Sequence, residues 1–335
     1  MNDVIALFGL PFMQRALIAA LFTGLAAPAV GTFLVQRRMA LMGDGLGHVA
    51  VTGVAIGLVT GLAPTWTAVA AAVLGAIAIE LIRERGNAGG DLALALLFYG
   101  GLAGGVFVTG IGAESTSRLQ QYLFGSITSI SSADVAVTVA LALVLLALTL
   151  GLSPQLFAVA HDREFAQVSG LNVRAYNLLV AVLAAVTVTV AMRTVGLLLV
   201  SALMVVPVAT AQQLTRSFRA TLVAALGVGV LSAVGGLTLA AAASYRADVA
   251  PGAAIVLLSL LIFVATWPLG TWLRRRQRVL APFVDPPPDD HLVTEGHPHE
   301  HGPDCGHRAV SHGDHVDYLH DGQRHAPHGE HYDQH

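Results

Sequence analysis

Lysine is absent from the 335 residues, so all 18 basic side chains are arginine. That absence excludes a P-loop lysine and a Schiff-base lysine, and with them a fused ATPase of the P-loop type. Cysteine occurs once, at Cys305, which leaves no internal disulfide, no cysteine-pair zinc site and no covalent haem motif. Charge is scarce as well: 12% of residues are charged against about 25% in a soluble domain. With 55% hydrophobic residues and a mean hydropathy of +0.68, the chain is too apolar to be soluble and belongs in a bilayer. HExxH and GxSxG are both missing, and His161-Asp162-Arg163-Glu164 has the wrong order for the former, so an intramembrane hydrolase lacks its motif.

What is present divides into two parts of opposite charge. Residues 1–280 carry 16 arginines against 10 acids, and residues 281–335 carry 2 against 11. The first part is a membrane body and the second an acidic tail. A span needs roughly 20 mostly apolar residues to cross a hydrocarbon core of ~30 Å. This rule predicts about nine helical spans (8–9), near residues 14–35, 41–62, 66–83, 91–110, 133–151, 175–192, 194–214, 220–242 and 252–273. The first apolar run lacks a preceding basic residue and leads straight into this pattern, so no cleaved signal peptide is expected. No internal repeat is evident.

Arginine position orients the body. With the N-terminus outside, twelve arginines fall in the cytoplasm, among them Arg37, Arg38, Arg83, Arg163, Arg174 and Arg274, and Arg15, Arg118, Arg193 and Arg246 lie outside. The tail is then cytoplasmic. Gly100-Gly101, Gly104-Gly105 and Gly235-Gly236 predict close helix crossings. Pro207 predicts a kink, with Ser201 and Thr210 nearby. The external connection at 111–132 predicts a short helix lying at the surface or dipping inward, with Glu114 and Arg118 as a local pair. The internal one at 153–176 alternates apolar and charged residues as a short amphipathic helix does, although a solvated connector fits its composition equally. Glu80 and Glu84, one turn apart beside Arg83 and Arg85, predict a structural ion-pair cluster rather than a proton relay.

The segment QRRMALMGDGLGHVAVTGVAIG, residues 36–57, carries the most chemistry. Asp44 and His48 are four residues apart and share one helical face. With a helix starting near Arg38, a rise of about 1.5 Å per residue puts His48 near the bilayer midplane. An ionisable group there is costly unless it meets a partner or water. A carboxylate and an imidazole suit Zn²⁺, Mn²⁺ or Fe²⁺, and two ligands must be completed by water, by other helices or by a second copy. The alternative is structural: Asp44 pairs with Arg38 while His48 bonds a neighbouring helix. Gly43, Gly45 and Gly47 would allow close backbone approach or local opening.

RRMALMGDGLGHVAVTGVAIG resembles the arginine-pair, Gly-Asp, Ser-His segment of the integral membrane permeases of zinc- and manganese-uptake ABC importers. HDREFAQVSGLNVRAYNLL resembles their cytoplasmic segment ending in Leu-Gly-Leu, and VGLLLVSALMVVPVATAQQLTRSF their late Val-Ser-Ala, Pro, Ala-Thr-Ala segment. The resemblance covers about residues 10–280. It implies an all-α, polytopic type II ABC importer-like permease acting as a homodimer, with a cytoplasmic ATPase and an extracytoplasmic metal-binding protein as partners. It places Asp44 and His48 on the translocation path and makes the segment containing His161, Asp162, Arg163, Glu164, Gly170 and Leu171 the ATPase-coupling element. The chain departs from the pattern at Gly47, usually serine, at Thr52, usually proline, and at His161, usually aromatic or apolar.

The tail, 281–335, opens on a proline-rich linker and then loses nearly all apolar character, which predicts disorder. Twelve of the fourteen histidines fall in it. In HPHEHGPDCGH, His297, His299, His301, Cys305 and His307 are close enough to share an ion. Such a tract either binds metal, with nitrogen and sulfur favouring Zn²⁺ over Mn²⁺, or is a solvating low-complexity tail.

The expectation is a bacterial inner-membrane permease subunit that moves a divalent ion inward by alternating access, Zn²⁺ ahead of Mn²⁺ or Fe²⁺. It is not an enzyme itself, holds no permanent cofactor and has no nucleic-acid partner. A stand-alone secondary transporter would need a proton relay, yet acids are few away from the inner helix ends. A membrane metal sensor would use nine spans merely as an anchor.

Overall fold

A computed structural model describes residues 8–84, 90–111, 130–244, 249–280, 292–294, 304–312, 315–320, 323–328 and 331–334. They form two compact units, Met1–Thr271 and Trp272–His335. Among the described residues eleven helices occur in chain order: α1 (Pro11–Gln36), α2 (Met42–Thr60), α3 (Pro64–Glu84), α4 (Gly90–Ile111), α5 (Ser132–Gly151), α6 (Ser153–His161), α7 (Arg163–Val168), α8 (Val173–Val195), α9 (Leu197–Leu214), α10 (Phe218–Ala243) and α11 (Pro251–Leu280). Nine of them coincide with the nine predicted stretches. Eight are long and apolar enough to cross a bilayer, and in α9 the apolar stretch Val200–Leu214 is shorter. The external connection, with Glu114 and Arg118, lies outside the described residues.

Local sequence sets the helix ends. Pro11 stands in the first turn of α1, where its missing N–H costs nothing. Ser131 and Asp134 form a capping box at α5: the Ser131 hydroxyl accepts from the Asp134 N–H at 3.2 Å, and the Ser131 N–H donates to Asp134 Oδ2 at 3.0 Å. Asn172 and Ser217 cap α8 and α10 more simply, their side chains accepting from the Ala175 and Ala220 N–H groups. Gly61 ends α2 at φ 72°. The amphipathic internal segment is two short helices instead of one. Asp162, extended at φ −142° and ψ 108°, separates them and caps α7 by accepting from the Phe165 N–H at 2.9 Å.

α1 lies in the middle of the body, packed against α5, α8, α9 and α10, while α2 packs chiefly on α3 and α4. Phe33, Leu34, Met42, Leu46, Met192, Leu203 and Met204 are fully buried in the main core. Close approach comes from small residues: a methyl on Gly31 of α1 would overlap the Met204 carbonyl of α9. Gly236 of α10 also lies against the backbone of Ile255 in α11, as the glycine pairs predict.

The tail differs from expectation. Among its described residues are five short strands, β1 (Leu292–Thr294), β2 (Arg308–His312), β3 (His315–His320), β4 (Gln323–His328) and β5 (His331–Gln334). They form an antiparallel sheet in the order β1-β5-β4-β3-β2. The sequence between the strands carries a signal that composition conceals. The pairs His312–His315, His320–Gln323 and His328–His331 each flank two residues, Gly313-Asp314, Asp321-Gly322 and Gly329-Glu330. Such glycine–acid dipeptides suit two-residue hairpin connections, and they recur every eight residues, an internal repeat that hydropathy does not show. Within the sheet, Asp317, Arg324, His325 and Ala326 are buried.

Candidate functional site

The connection from α1 to α2 sets where Asp44 and His48 sit. Arg38 adopts φ 57°, the left-handed conformation that usually selects glycine, and the Met39 N–H reaches back to the Leu34 carbonyl at 2.8 Å. The turn occupies residues 37–41, so α2 starts at Met42, close to the predicted span of 41–62 and four residues after the Arg38 start used to place His48. Asp44 is therefore in the first helical turn. At about 1.5 Å per residue, His48 lies about 9 Å into a helix about 28 Å long, about 5 Å from its middle.

α2 is a continuous helix through its glycines, which permit close packing rather than local opening. Gly43 faces Ser201 and Met204 of α9. On the other side Gly101 of α4 meets the backbone of His48 and Val49 so closely that a β-carbon there would stand 2.7 Å from the His48 carbonyl carbon. The Thr52 hydroxyl donates across the same crossing to the Gly101 carbonyl at 2.7 Å. A proline at position 52 would also offer no hydroxyl for this bond.

Three helices thus converge on the pair. Ser201 Oγ of α9 donates to Asp44 Oδ1 at 3.5 Å. The His48 ring, buried to 9% exposure, meets Phe98 of α4 edge to face with centroids 4.3 Å apart. Phe98 in turn stacks edge to face with Tyr99 at 5.5 Å. Asp44 is half-buried and borders a cavity of about 350 Å³ lined also by Leu41, Leu94, Ala95, Phe98 and Tyr99. Among the described ion pairs, none joins Asp44 to Arg38, whose side chain is exposed. The polar pair therefore sits between an aromatic wall and one hydroxyl, with carboxylate oxygen, imidazole nitrogen and hydroxyl as donors. Ser201, Phe98 and Tyr99 complete this group, and only position in the fold reveals them. No group of three or more His, Cys, Asp or Glu residues fit to hold an ion occurs among the described residues.

The charged cluster is structural, as predicted, but larger. Glu80 bridges Arg37 at 3.2 Å and Arg83 at 3.0 Å, and Arg37 also donates to the Asn177 carbonyl at 3.4 Å. Burial pushes the Arg37 guanidinium below its ordinary pKa, and the neighbouring Glu80 carboxylate opposes that shift. Glu84 pairs instead with Arg174 at 2.8 Å, at the start of α8. α1, α3 and α8 are tied together here. Arg85 lies outside the described residues.

Of the coupling candidates, His161 ends α6 with its ring stacked on Phe157 at 5.3 Å, and Asp162, Arg163 and Glu164 form the α6–α7 junction. Gly170, at φ 81°, and Leu171 follow α7. Val159, Ala166 and Val173 make a small core beneath, leaving Phe165 and Val168 exposed. In the tail, Cys305 and His307 are half-exposed, and His297, His299 and His301 lie outside the described residues.

Apolar helices long enough to span a bilayer, enclosing one carboxylate–imidazole pair, define a multi-pass membrane protein of the transport type. The family model described as "ABC 3 transport family" matches residues 9–269, and the chain belongs to that family. It is similar to the manganese import system permease protein ScaB of Streptococcus parasanguinis, 30% identical over 81% of this chain and 95% of the relative. It is likewise similar to a probable metal transport system membrane protein of Treponema pallidum, 35% identical over 76% of this chain and 93% of the relative. Among solved structures, PsaBC from Streptococcus pneumoniae in complex with Fab matches with a TM-score of 0.72 and 29% identity, covering 82% of this chain and 99% of that one. The sequence resemblance to metal-uptake permeases is borne out at the level of family and fold.

Proposed function

We propose that the chain is the permease subunit of an ATP-driven importer for a divalent transition metal ion, with Asp44 and His48 contacting the ion in transit. The observation that carries this is the convergence of Asp44, His48 and Ser201 from two helices beside a cavity walled by Phe98 and Tyr99. A carboxylate and an imidazole stripped of bulk water bind such an ion transiently, and protonation of His48 competes with it. One chain offers too few donors to hold the ion tightly. A second copy doubles the set, and the exposed Tyr99 and Phe107 on α4 leave room for a partner there or for lipid. ATP hydrolysis belongs to a separate cytoplasmic ATPase docking on α6, α7 and the residues to Leu171, and an extracytoplasmic metal-binding protein delivers the ion. The N-terminus faces outward and the tail is cytoplasmic, in a bacterial inner membrane.

As for the ion, relatives named for manganese and the carboxylate of the pair favour Mn²⁺, whereas the histidine-rich tail favours Zn²⁺. The tail cluster His297, His299, His301, Cys305 and His307 is a candidate second site that need not share the preference of the path. The test is uptake of ⁵⁴Mn²⁺ and ⁶⁵Zn²⁺ in importer-deficient cells co-expressing the ATPase and binding protein. Uptake is expected to vanish in Asp44→Ala and in His48→Ala at unchanged membrane abundance, and to survive deletion of 281–335. Normal uptake in both single variants would remove the pair from the path.

A further inference from the structure

One aromatic ring stands between the imidazole of the candidate path and the space that its carboxylate borders. Asp44 and His48 are one turn apart on α2, about 6 Å along its axis. Among the described residues, Asp44 and Phe98 border the cavity of about 350 Å³, and His48 does not. The Phe98 ring instead meets the His48 ring edge to face at 4.3 Å between centroids, a contact that leaves no room for an ion between the two rings. An ion resting on Asp44 therefore has Phe98 in its way to His48.

The backbone gives α4 little freedom to withdraw. Gly101 follows Phe98 by three residues and lies on the same helical face. A β-carbon on Gly101 would stand 2.6 Å from the Val49 nitrogen, and the Thr52 hydroxyl donates to the Gly101 carbonyl at 2.7 Å. Parting α2 from α4 would break that bond and open a void at a close-packed crossing. Turning one side chain breaks only an aromatic contact. There is space for the turn: a cavity of about 150 Å³ accepts benzene, and this one is more than twice as large.

We infer that Phe98 is a positioning residue of the metal path: its ring covers the His48 imidazole and turns into the cavity to release it to an ion held at Asp44. The order of contacts is carboxylate first and imidazole second. The part played in transport rests on the proposed function, whereas the cover itself does not.

The test is the rate at which diethyl pyrocarbonate, which acylates neutral imidazole, modifies His48 in the full-length protein in detergent. Mass spectrometry of the peptide containing residue 48 keeps the tail histidines out of the signal, and the exposed His161 is the internal reference. Phe98→Ala is expected to raise the His48 rate relative to His161 by about 2- to 10-fold, the range that loss of an aromatic pair accounts for. Phe98→Leu, which keeps apolar bulk without a flat ring, raises it as well and serves if the alanine variant does not purify. Phe98→Tyr keeps the slow rate, and so does Tyr99→Ala, which alters the cavity wall and leaves Phe98 in place. An unchanged rate in Phe98→Ala and Phe98→Leu, or an equal rise in Tyr99→Ala, overturns the cover. Added Mn²⁺ is expected to slow the modification in Phe98→Ala and to have no effect in Phe98→Ala/Asp44→Asn. Faster modification in Phe98→Ala that neither Mn²⁺ nor Zn²⁺ slows supports the cover and removes the pair as an ion contact, so the two readings fail separately.

Discussion

α1 and α4 are equally apolar, with mean hydropathies of 2.0 and 1.9 over their most apolar windows, yet 72% of that window is buried in α1 and 17% in α4. What separates them is side-chain size along the exposed stripe. α1 buries Ala16, Ala19, Ala20, Thr23, Gly24, Ala26 and Ala27, residues small enough for neighbouring backbones to close on them. α4 turns Leu96, Tyr99, Val106 and Phe107 outward and keeps Gly101 and Gly105 inward against α2. Hydropathy therefore says that a helix lies in the bilayer, and residue volume says what touches it. The candidate path sits on this divide: His48 belongs to the closely packed side, and Tyr99 to the open one.

The comparison is most directly broken at Gly31. A side chain there meets the Met204 backbone, which cannot move without shifting α9, so Gly31→Leu is expected to abolish recovery of folded, monodisperse protein. Gly100→Leu, with nothing within 4 Å of its β-carbon, is expected to purify normally. Equal damage by both, in size-exclusion profiles of matched membranes, would mean that the outer face of α4 also has a close neighbour.

A smaller effect is expected at the charged cluster. Glu80→Ala leaves the buried Arg37 without its carboxylate and should cost about 3–5 kcal/mol, read as a large fall in the thermal midpoint in detergent. Arg174→Ala removes an exposed partner of Glu84 and should cost at most about 1 kcal/mol. A reversal of that order would show that α8 is held by its surface pair instead of by the core cluster. The smallest change is Val106→Ala on the open face, where about 0.5 kcal/mol or less is expected. A larger loss would sharpen the comparison by locating a protein partner on α4 in place of lipid.

Much of the membrane body was legible before any coordinate. Length and apolarity alone locate nine helices, because a bilayer leaves a spanning segment few alternatives to a hydrogen-bonded helix. Asp44 and His48 were legible as one face of one helix, since four-residue spacing is a local property. The turn before them was not: Arg38 adopts a left-handed conformation, and the helix begins at Met42 and not near Arg38. Neither was the Arg37–Glu80 pair, 43 residues apart, nor Ser201 beside Asp44, 157 residues apart. Spacing rules see only neighbours within a turn or two.

The tail shows the same limit from the other side. Its composition predicts no packed core, yet its described strands pair into one sheet; the sequence carries glycine–acid dipeptides at eight-residue intervals between those strands, a local signal that a composition count averages away. The chain by itself determined that a basic apolar body crosses a membrane on about nine helices, that one carboxylate and one imidazole share a face within it, and that the tail is rich in metal-binding side chains. These follow from hydropathy, charge and helical period, which each residue carries with it. Only the tertiary structure decided that α1 is the central helix, that α9 brings a hydroxyl to Asp44 and α4 an aromatic wall to His48, and that the short tail strands pair in one antiparallel sheet. Those are contacts between distant segments, fixed by which surfaces are small enough to approach and which backbone groups must be paired once water is gone.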